Sequence, residues 1–137
     1  MILVLDASMT IAAIFEDEAN RAAQGVIRMV GREGATVPSL WRLEIANVLR
    51  NSIRRGRCDV AFADRALRLL SDLPIAIDLH TDIHAWGATV EISRQEDLTL
   101  YDAAYLEPTV RLGATLASCD RDLVAAARRR GLDVLTA

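Results

Sequence analysis

The sequence predicts an α/β sandwich with a mostly parallel central sheet flanked by helices, and three observations carry that reading. Short apolar runs, too brief for helices, alternate with longer stretches whose apolar residues recur at helical spacing. Parallel neighbours need crossover connections, and the intervening helices supply them. The chain has 137 residues, 52% of them hydrophobic, enough to bury roughly two thirds of its unfolded surface around one core. One domain over 1–137 is expected.

Ile2-Leu3-Val4-Leu5 is an apolar run closed by Asp6, and its length suits a strand buried on both faces. Ala19, Ala22, Ala23, Val26, Ile27 and Val30 then line one face of an amphipathic helix, opposite Glu18, Arg21, Arg28 and Arg32. A second strand at 35–37 precedes Pro38-Ser39, where Ser39 is expected to cap a helix that runs to Arg55 and stops at Gly56. Phe62, Ala66, Leu69, Leu70 and Leu73 mark the next helix, which Pro74 ends. Ile75-Ala76-Ile77 reads as a third strand, 82–95 as a helix despite Gly87, and 99 to about 106 as another. Residues 114–117 form a strand, 120–130 a helix closed by Gly131, and 133–135 a last strand.

Composition narrows the chemistry. All 16 basic residues are Arg, against 19 acids and a net charge of −3. That excludes a uniformly basic nucleic-acid grip. It also excludes mechanisms that need a lysine: the P-loop, a Schiff base and a phosphorylatable receiver domain. Cys58 and Cys119 fit neither a CxxC pair nor a zinc-finger spacing, so no disulfide scaffold is expected. Asp6 interrupts the N-terminal apolar run and the first Arg is Arg21, unlike a secretory signal. The longest charge-free run has nine residues, Ala7 to Phe15, far short of the ~20 that span a bilayer. A cytoplasmic protein without membrane attachment is expected.

Four carboxylates interrupt apolar surroundings. Asp6 and Asp120 each follow a strand, the position at which parallel sheets bind ligands, although each could equally cap the helix that follows. Glu44 lies along an apolar seam with Leu40, Trp41 and Val48, either as a buried acid or as one snorkelling to water. Asp102 sits in an apolar helix, where Thr99-x-x-Asp102 also fits a capping box. Should the four converge, each like-charge pair at ~4 Å would cost about 4 kcal/mol at an effective dielectric near 20, so a cation or a shared proton is implied. Oxygen ligands select Mg²⁺ or Mn²⁺. Without these four, 15 acids face 16 bases, so the net negative charge is mostly the cluster itself.

Four segments in this order resemble PIN-domain ribonucleases of the VapC toxin type, over essentially the whole chain. They are Val4-Leu5-Asp6-Ala7-Ser8, the stretch from Pro38 to Leu49 around Glu44, Leu98 to Leu106 around Asp102, and Ser118-Cys119-Asp120-Arg121-Asp122-Leu123. The resemblance implies a PIN-like three-layer sandwich with Asp6, Glu44, Asp102 and Asp120 as catalytic, metal-binding acids. Ser8, Ser118 and Asp122 are implied as supports. It further implies Mg²⁺-dependent hydrolysis of RNA, with Mn²⁺ as an alternative ion, leaving a 5′-phosphate and a 3′-hydroxyl. A homodimer is implied, as is a cognate antitoxin that joins it in a heterotetramer or larger assembly. Ile11, Ile14 and Phe15 suggest an apolar strip for that antitoxin beside the acids. Two departures stand out: Pro108 is expected to kink or end the Asp102 helix, and Cys119 replaces a smaller residue as a buried hydrophobe.

Arg50, Arg54, Arg55 and Arg57 form one basic patch and Arg128, Arg129 and Arg130 another, each open to a phosphate or a helix-dipole role. His80 and His84 are spaced i, i+4 but straddle an expected strand end, so they need not share a face. Trp41 and Trp86 read as core or interface residues. The alternatives to a ribonuclease are a metal-dependent phosphatase of another α/β family and a PIN-like binding module whose acids only cap helices. The first lacks the second acid of a DxD motif after Asp6.

Overall fold

A computed structural model of the chain describes residues 1–16 and 20–137. Five strands, β1 (Leu3–Leu5), β2 (Ala35–Val37), β3 (Ile75–Ile77), β4 (Thr115–Ala117) and β5 (Val134–Leu135), form one sheet in the order β3-β2-β1-β4-β5, every pair parallel. Eight helices flank it among the described residues: α1 (Ala7–Ile14), α2 (Asn20–Glu33), α3 (Trp41–Arg54), α4 (Val60–Ser71), α5 (Thr81–His84), α6 (Ala88–Glu96), α7 (Leu100–Leu112) and α8 (Arg121–Arg129). The predicted sandwich is therefore borne out, with a sheet that is wholly parallel.

The strand order reverses direction at β1. From there the chain steps outward to β2 and β3, crosses back to β4 on the other side of β1, and continues to β5. The carboxyl ends of β1 and β4 thus flank a topological switch point, where open α/β sheets bind ligands. Val4, Leu5, Leu116 and Ala117 are fully buried there. The ladder continues past the strands: the Asp6 N–H donates to Ala117 O at 2.9 Å, and Ser118 N–H to Leu135 O at 3.0 Å.

Several local expectations are corrected. Ser39 does not cap α3; Leu40 holds that position in a turn closed by Trp41 N–H to Pro38 O, while the Ser39 N–H donates to Thr81 Oγ1. Asp59 caps α4 by accepting from Phe62 N–H, and α4 ends at Ser71, leaving Leu73 beyond it. The single helix expected over 82–95 is two, because the backbone at Gly87 (φ −112°, ψ −108°) leaves helical geometry. Ala22 is exposed, and the expected contribution of Glu18 and Ala19 to that helix lies outside the described residues. Trp41 is core, whereas Trp86 is 95% exposed.

Helix α7 runs straight through Pro108 to Leu112 rather than stopping near Leu106. Proline has no N–H for the Ala104 carbonyl and costs a helix interior about 3 kcal/mol, so packing has to hold the helix together. Seven consecutive residues, Ala103 to Thr109, are buried, and α7 packs on both β1 and β4. Beyond the proline, Arg111 bonds Glu107 through Nε at 2.9 Å and Nη2 at 3.0 Å, and it also pairs with Asp78 past the end of β3. The Asp78 and Glu107 side chains are only 7% and 5% exposed. Burial works to raise Asp78, but the Arg111 hydrogen bonds outweigh it and hold the carboxyl below its usual range. Replacing Arg111 by Met would strand two buried carboxylates, and the expected loss is about 3 kcal/mol. Urea unfolding of the variant checks this.

Candidate active site

Two of the four acids, Asp6 and Asp120, follow strand ends, and the other two, Glu44 and Asp102, stand on helices α3 and α7. Asp6 follows β1 and precedes α1, yet its side chain makes no cap hydrogen bond. It is instead 4% exposed and accepts from two hydroxyls on the same oxygen, Oδ2: Ser8 at 2.6 Å and Ser118 at 2.6 Å. Each hydroxyl has one proton to give, so the 3.3 Å separation of the two serine oxygens is contact only. Their lone pairs are used as well, since Ser8 Oγ accepts from Cys119 N–H and Ser118 Oγ from Asp120 N–H. One polar knot therefore ties the end of β1 to the end of β4 and fixes the Asp6 carboxylate. Of the two readings the sequence leaves open for Asp6, the side-chain cap of α1 is not realised.

Asp120 does both things the sequence allowed. Its Oδ1 accepts from Leu123 N–H at 2.9 Å, capping α8, and the residue also lines a cavity with Asp6, Ser8, Glu44 and Asp102. That cavity, about 340 Å³, opens at the switch point. Asp102 stands in the first turn of α7, whose cap Thr99 accepts from the Asp102 N–H at 3.1 Å. Asp122 is placed otherwise: it is exposed on the first turn of α8 and does not line the cavity, although Asp102 feels its charge.

The electrostatics record the crowding. Burial, then the charges of Asp120 and Asp6, push Asp102 up to about 6. Burial, then Asp6 and Asp102, push Glu44 up to about 7, against a lowering contribution from the Tyr105 hydroxyl. Asp6 is likewise raised by burial, with the serine hydroxyls opposing. Glu44 Oε1 and Tyr105 Oη are both buried, and although the hydroxyl lies near enough to lower Glu44, neither atom makes a hydrogen bond of good geometry. A buried carboxylate oxygen without a good partner, on a residue that feels the charges of Asp6 and Asp102, is poorly solvated as it stands, and a hard cation is the partner that its chemistry fits. Among the described residues no three acid, imidazole or thiol groups stand close enough together to hold one ion directly. An ion here would therefore be one such as Mg²⁺ that keeps several of its waters. At pH 5, where Glu44 is protonated and the hydroxyl has no carboxylate to stabilise, Tyr105→Phe is expected to leave the metal-free protein equally or more stable, by up to about 1 kcal/mol. Thermal melting of the variant in EDTA tests it.

Four features were only partly legible in the sequence. Arg57 lines the acidic cavity, whereas Arg50, Arg54 and Arg55 are exposed elsewhere on or beside α3. Arg129 and Arg130 are occupied by Glu96 at 2.9 and 2.8 Å, which ties α8 to α6. Phe15 is buried against Phe62, so it cannot belong to an exposed strip, while Ile11 lines the acidic cavity and Ile14 a separate apolar one. His80 and His84 do come together, ring centres 6.5 Å apart and nearly perpendicular. No helix of the described residues is long and apolar enough to cross a membrane.

A wholly parallel five-stranded sheet with acids gathered at its switch point fits the family to which the chain belongs: residues 3–129 match the PIN domain. Within that family the relatives are VapC proteins, as the four motifs led us to expect. The chain is 28% identical over 123 residues to Ribonuclease VapC3 of Pyrobaculum aerophilum, covering 90% of this chain and 92% of that one. The crystal structure of PAE2754 from the same organism superposes with a TM-score of 0.71 at 28% identity, over 98% of this chain and 92% of that one. VapBC2 of Rickettsia felis, solved bound to a DNA fragment from its promoter, shares the fold at 15% identity and TM-score 0.65, covering 100% and 99% of the two chains. So does Mycobacterium tuberculosis VapC20, described as a sarcin-ricin loop cleaving toxin, at 16% identity and TM-score 0.65 over 90% and 94%.

Proposed function

We propose that this chain is a divalent-metal-dependent endoribonuclease, using Mg²⁺ or Mn²⁺, and that it is the toxin of a toxin–antitoxin pair. The observation that carries the reading is the convergence of Asp6, Glu44, Asp102 and Asp120 on one cavity at the switch point of a PIN domain. A bound divalent ion supplies Lewis acidity, activating water and relieving charge on the phosphoryl oxygens. Ser8 and Ser118 hold the Asp6 carboxylate in one orientation, so that no reorganisation is needed when an ion arrives. Asp120 gives one oxygen to the α8 cap and retains the other for the cavity. Glu44 offers its partnerless Oε1, and Asp102 completes an all-oxygen set. Asp122 acts at longer range, adding negative charge near Asp102.

The same reading covers the whole chain as one PIN domain acting on RNA in the cytoplasm. For the antitoxin, a cavity of about 620 Å³ lies between α1, α2 and α4, with Ile14, Ile27, Phe62 and Leu69 along it and Arg28 and Arg65 among its lining. Apolar walls with two cations suit a short segment that carries apolar and acidic side chains. For a homodimer, the exposed Leu79, Ile83 and Trp86 near α5 provide apolar surface. A phosphatase or a catalytically silent binding module makes the opposite forecast for RNA. Incubating the purified protein with labelled single-stranded RNA, in Mg²⁺ or Mn²⁺ and in EDTA, tests the proposal. Cleavage only with the ion supports it, and intact RNA in all three refutes it.

A further inference from the structure

Arg57 is the one base among the described residues that line the acidic cavity. Its position is set by local structure on both sides. Helix α3, which carries Glu44, ends at Arg54 with Arg55 as its C-cap, and the chain turns at Gly56 in the left-handed conformation (φ +72°), which favours glycine. Gly56 N–H donates to Ile53 O, and Arg57 N–H reaches back to Ser52 O at 2.9 Å, the long bond of a Schellman turn. The Arg57 backbone is thereby pinned to the helix that carries Glu44. Its guanidinium lies over the Phe15 ring, 3.8 Å from the centroid, and that ring is stacked on Phe62 at 5.2 Å. A planar cation laid on the buried Phe15 ring is held in one plane, and the entropy of ordering a long side chain is largely spent before any ligand arrives.

An acidic cavity that must admit a phosphodiester has to overcome repulsion between its carboxylates and the substrate. We propose that Arg57 is the substrate-phosphate anchor of this site: its guanidinium binds the phosphate oxygens of the RNA strand as the strand enters the carboxylate cavity. The assignment rests on the ribonuclease reading above. Arg57 binds substrate and has no part in holding the ion, so its loss separates RNA affinity from metal affinity.

The test compares the full-length protein with Arg57→Met, whose thioether can keep the contact with Phe15, and with Arg57→Lys. Mn²⁺ binding is measured by calorimetry, and KM, kcat and the salt dependence of affinity are measured with a labelled single-stranded RNA. For Arg57→Met the expected results are unchanged Mn²⁺ affinity, a KM raised roughly 10- to 100-fold for the lost charge-assisted contact, and a slope of log affinity against log salt shallower by about 0.7. Arg57→Lys should recover part of the affinity as a point charge without the flat fork. Unchanged KM, kcat and salt slope in Arg57→Met, with the parent active, overturn the anchor and leave the active site standing. A fall in melting temperature and Mn²⁺ affinity with KM unchanged assigns Arg57 a structural role instead and likewise overturns it. A parent that cleaves no RNA with any divalent ion removes the ribonuclease reading, and the anchor falls with it.

Discussion

Asp120→Asn is expected to lower metal-dependent RNA cleavage by at least about a thousand-fold, on the order of 4 kcal/mol of lost transition-state stabilisation, while the fold stays intact. The substitution is informative because Asp120 has two separable tasks. Its Oδ1 caps α8 through Leu123 N–H, and asparagine caps a helix about as well as aspartate. What asparagine lacks is the negative charge that the cavity contributes to an ion. A residue that only caps tolerates the change; one that also holds a cation loses activity at nearly constant stability. Asp6→Asn extends the argument. The amide oxygen can still accept from Ser8 and Ser118, and the burial that raises the aspartate no longer opposes a charge. Its melting temperature in EDTA should equal or exceed that of the parent, again with cleavage lost.

The second large effect is a pH dependence of stability that reverses when an ion is supplied. Glu44 and Asp102, with ordinary values of 4.5 and 3.8, are raised to about 7 and about 6 in the folded metal-free protein. Between those limits the folded state holds more protons than the unfolded one, so stability falls as pH rises. Their contribution is fully present below about pH 4 and is lost by pH 7 to 8. Both groups are partly exposed, so solvent screening discounts the shifts to about 1 kcal/mol each, or roughly 7 °C in melting temperature together. Asp78 works in the opposite sense, because Arg111 holds it low and its contribution disappears only in stronger acid. In EDTA the melting temperature should therefore decline from pH 5 to pH 8. With Mg²⁺ or Mn²⁺ the decline should shrink or invert, since protons compete with the ion at pH 5 and not at pH 8. Melting curves at both pH values, with and without the ion, measure this.

What could be read from the sequence was what local chemistry controls. Ala35–Val37 and Ile75–Ile77 are strands with the expected bounds because short apolar runs closed by breakers have few other solutions. The four acids also converge on one cavity, as their places after β1, after β4 and early in two helices suggested. The failures lie where a residue answers to something distant. Asp6 read equally well as a helix cap because its actual partner, Ser118, is 112 residues away. Pro108 read as a helix end because the burial of α7 and the Arg111–Asp78 pair, 33 residues apart, are tertiary facts. Arg57 was one of four arginines near a helix end until Phe15 and the Schellman turn singled it out. Asp122, implied by resemblance alone, is exposed in the first turn of α8 and does not line the cavity, yet its charge reaches Asp102.

The central claim is that these carboxylates hold a divalent ion, and calorimetric titration of Mn²⁺ at pH 8 into the parent and into Asp6→Asn tests it most directly. Saturable binding to the parent, weakened at least ten-fold in a variant that melts no lower, is the predicted result. Equal binding by the two proteins, or none by the parent, would contradict it.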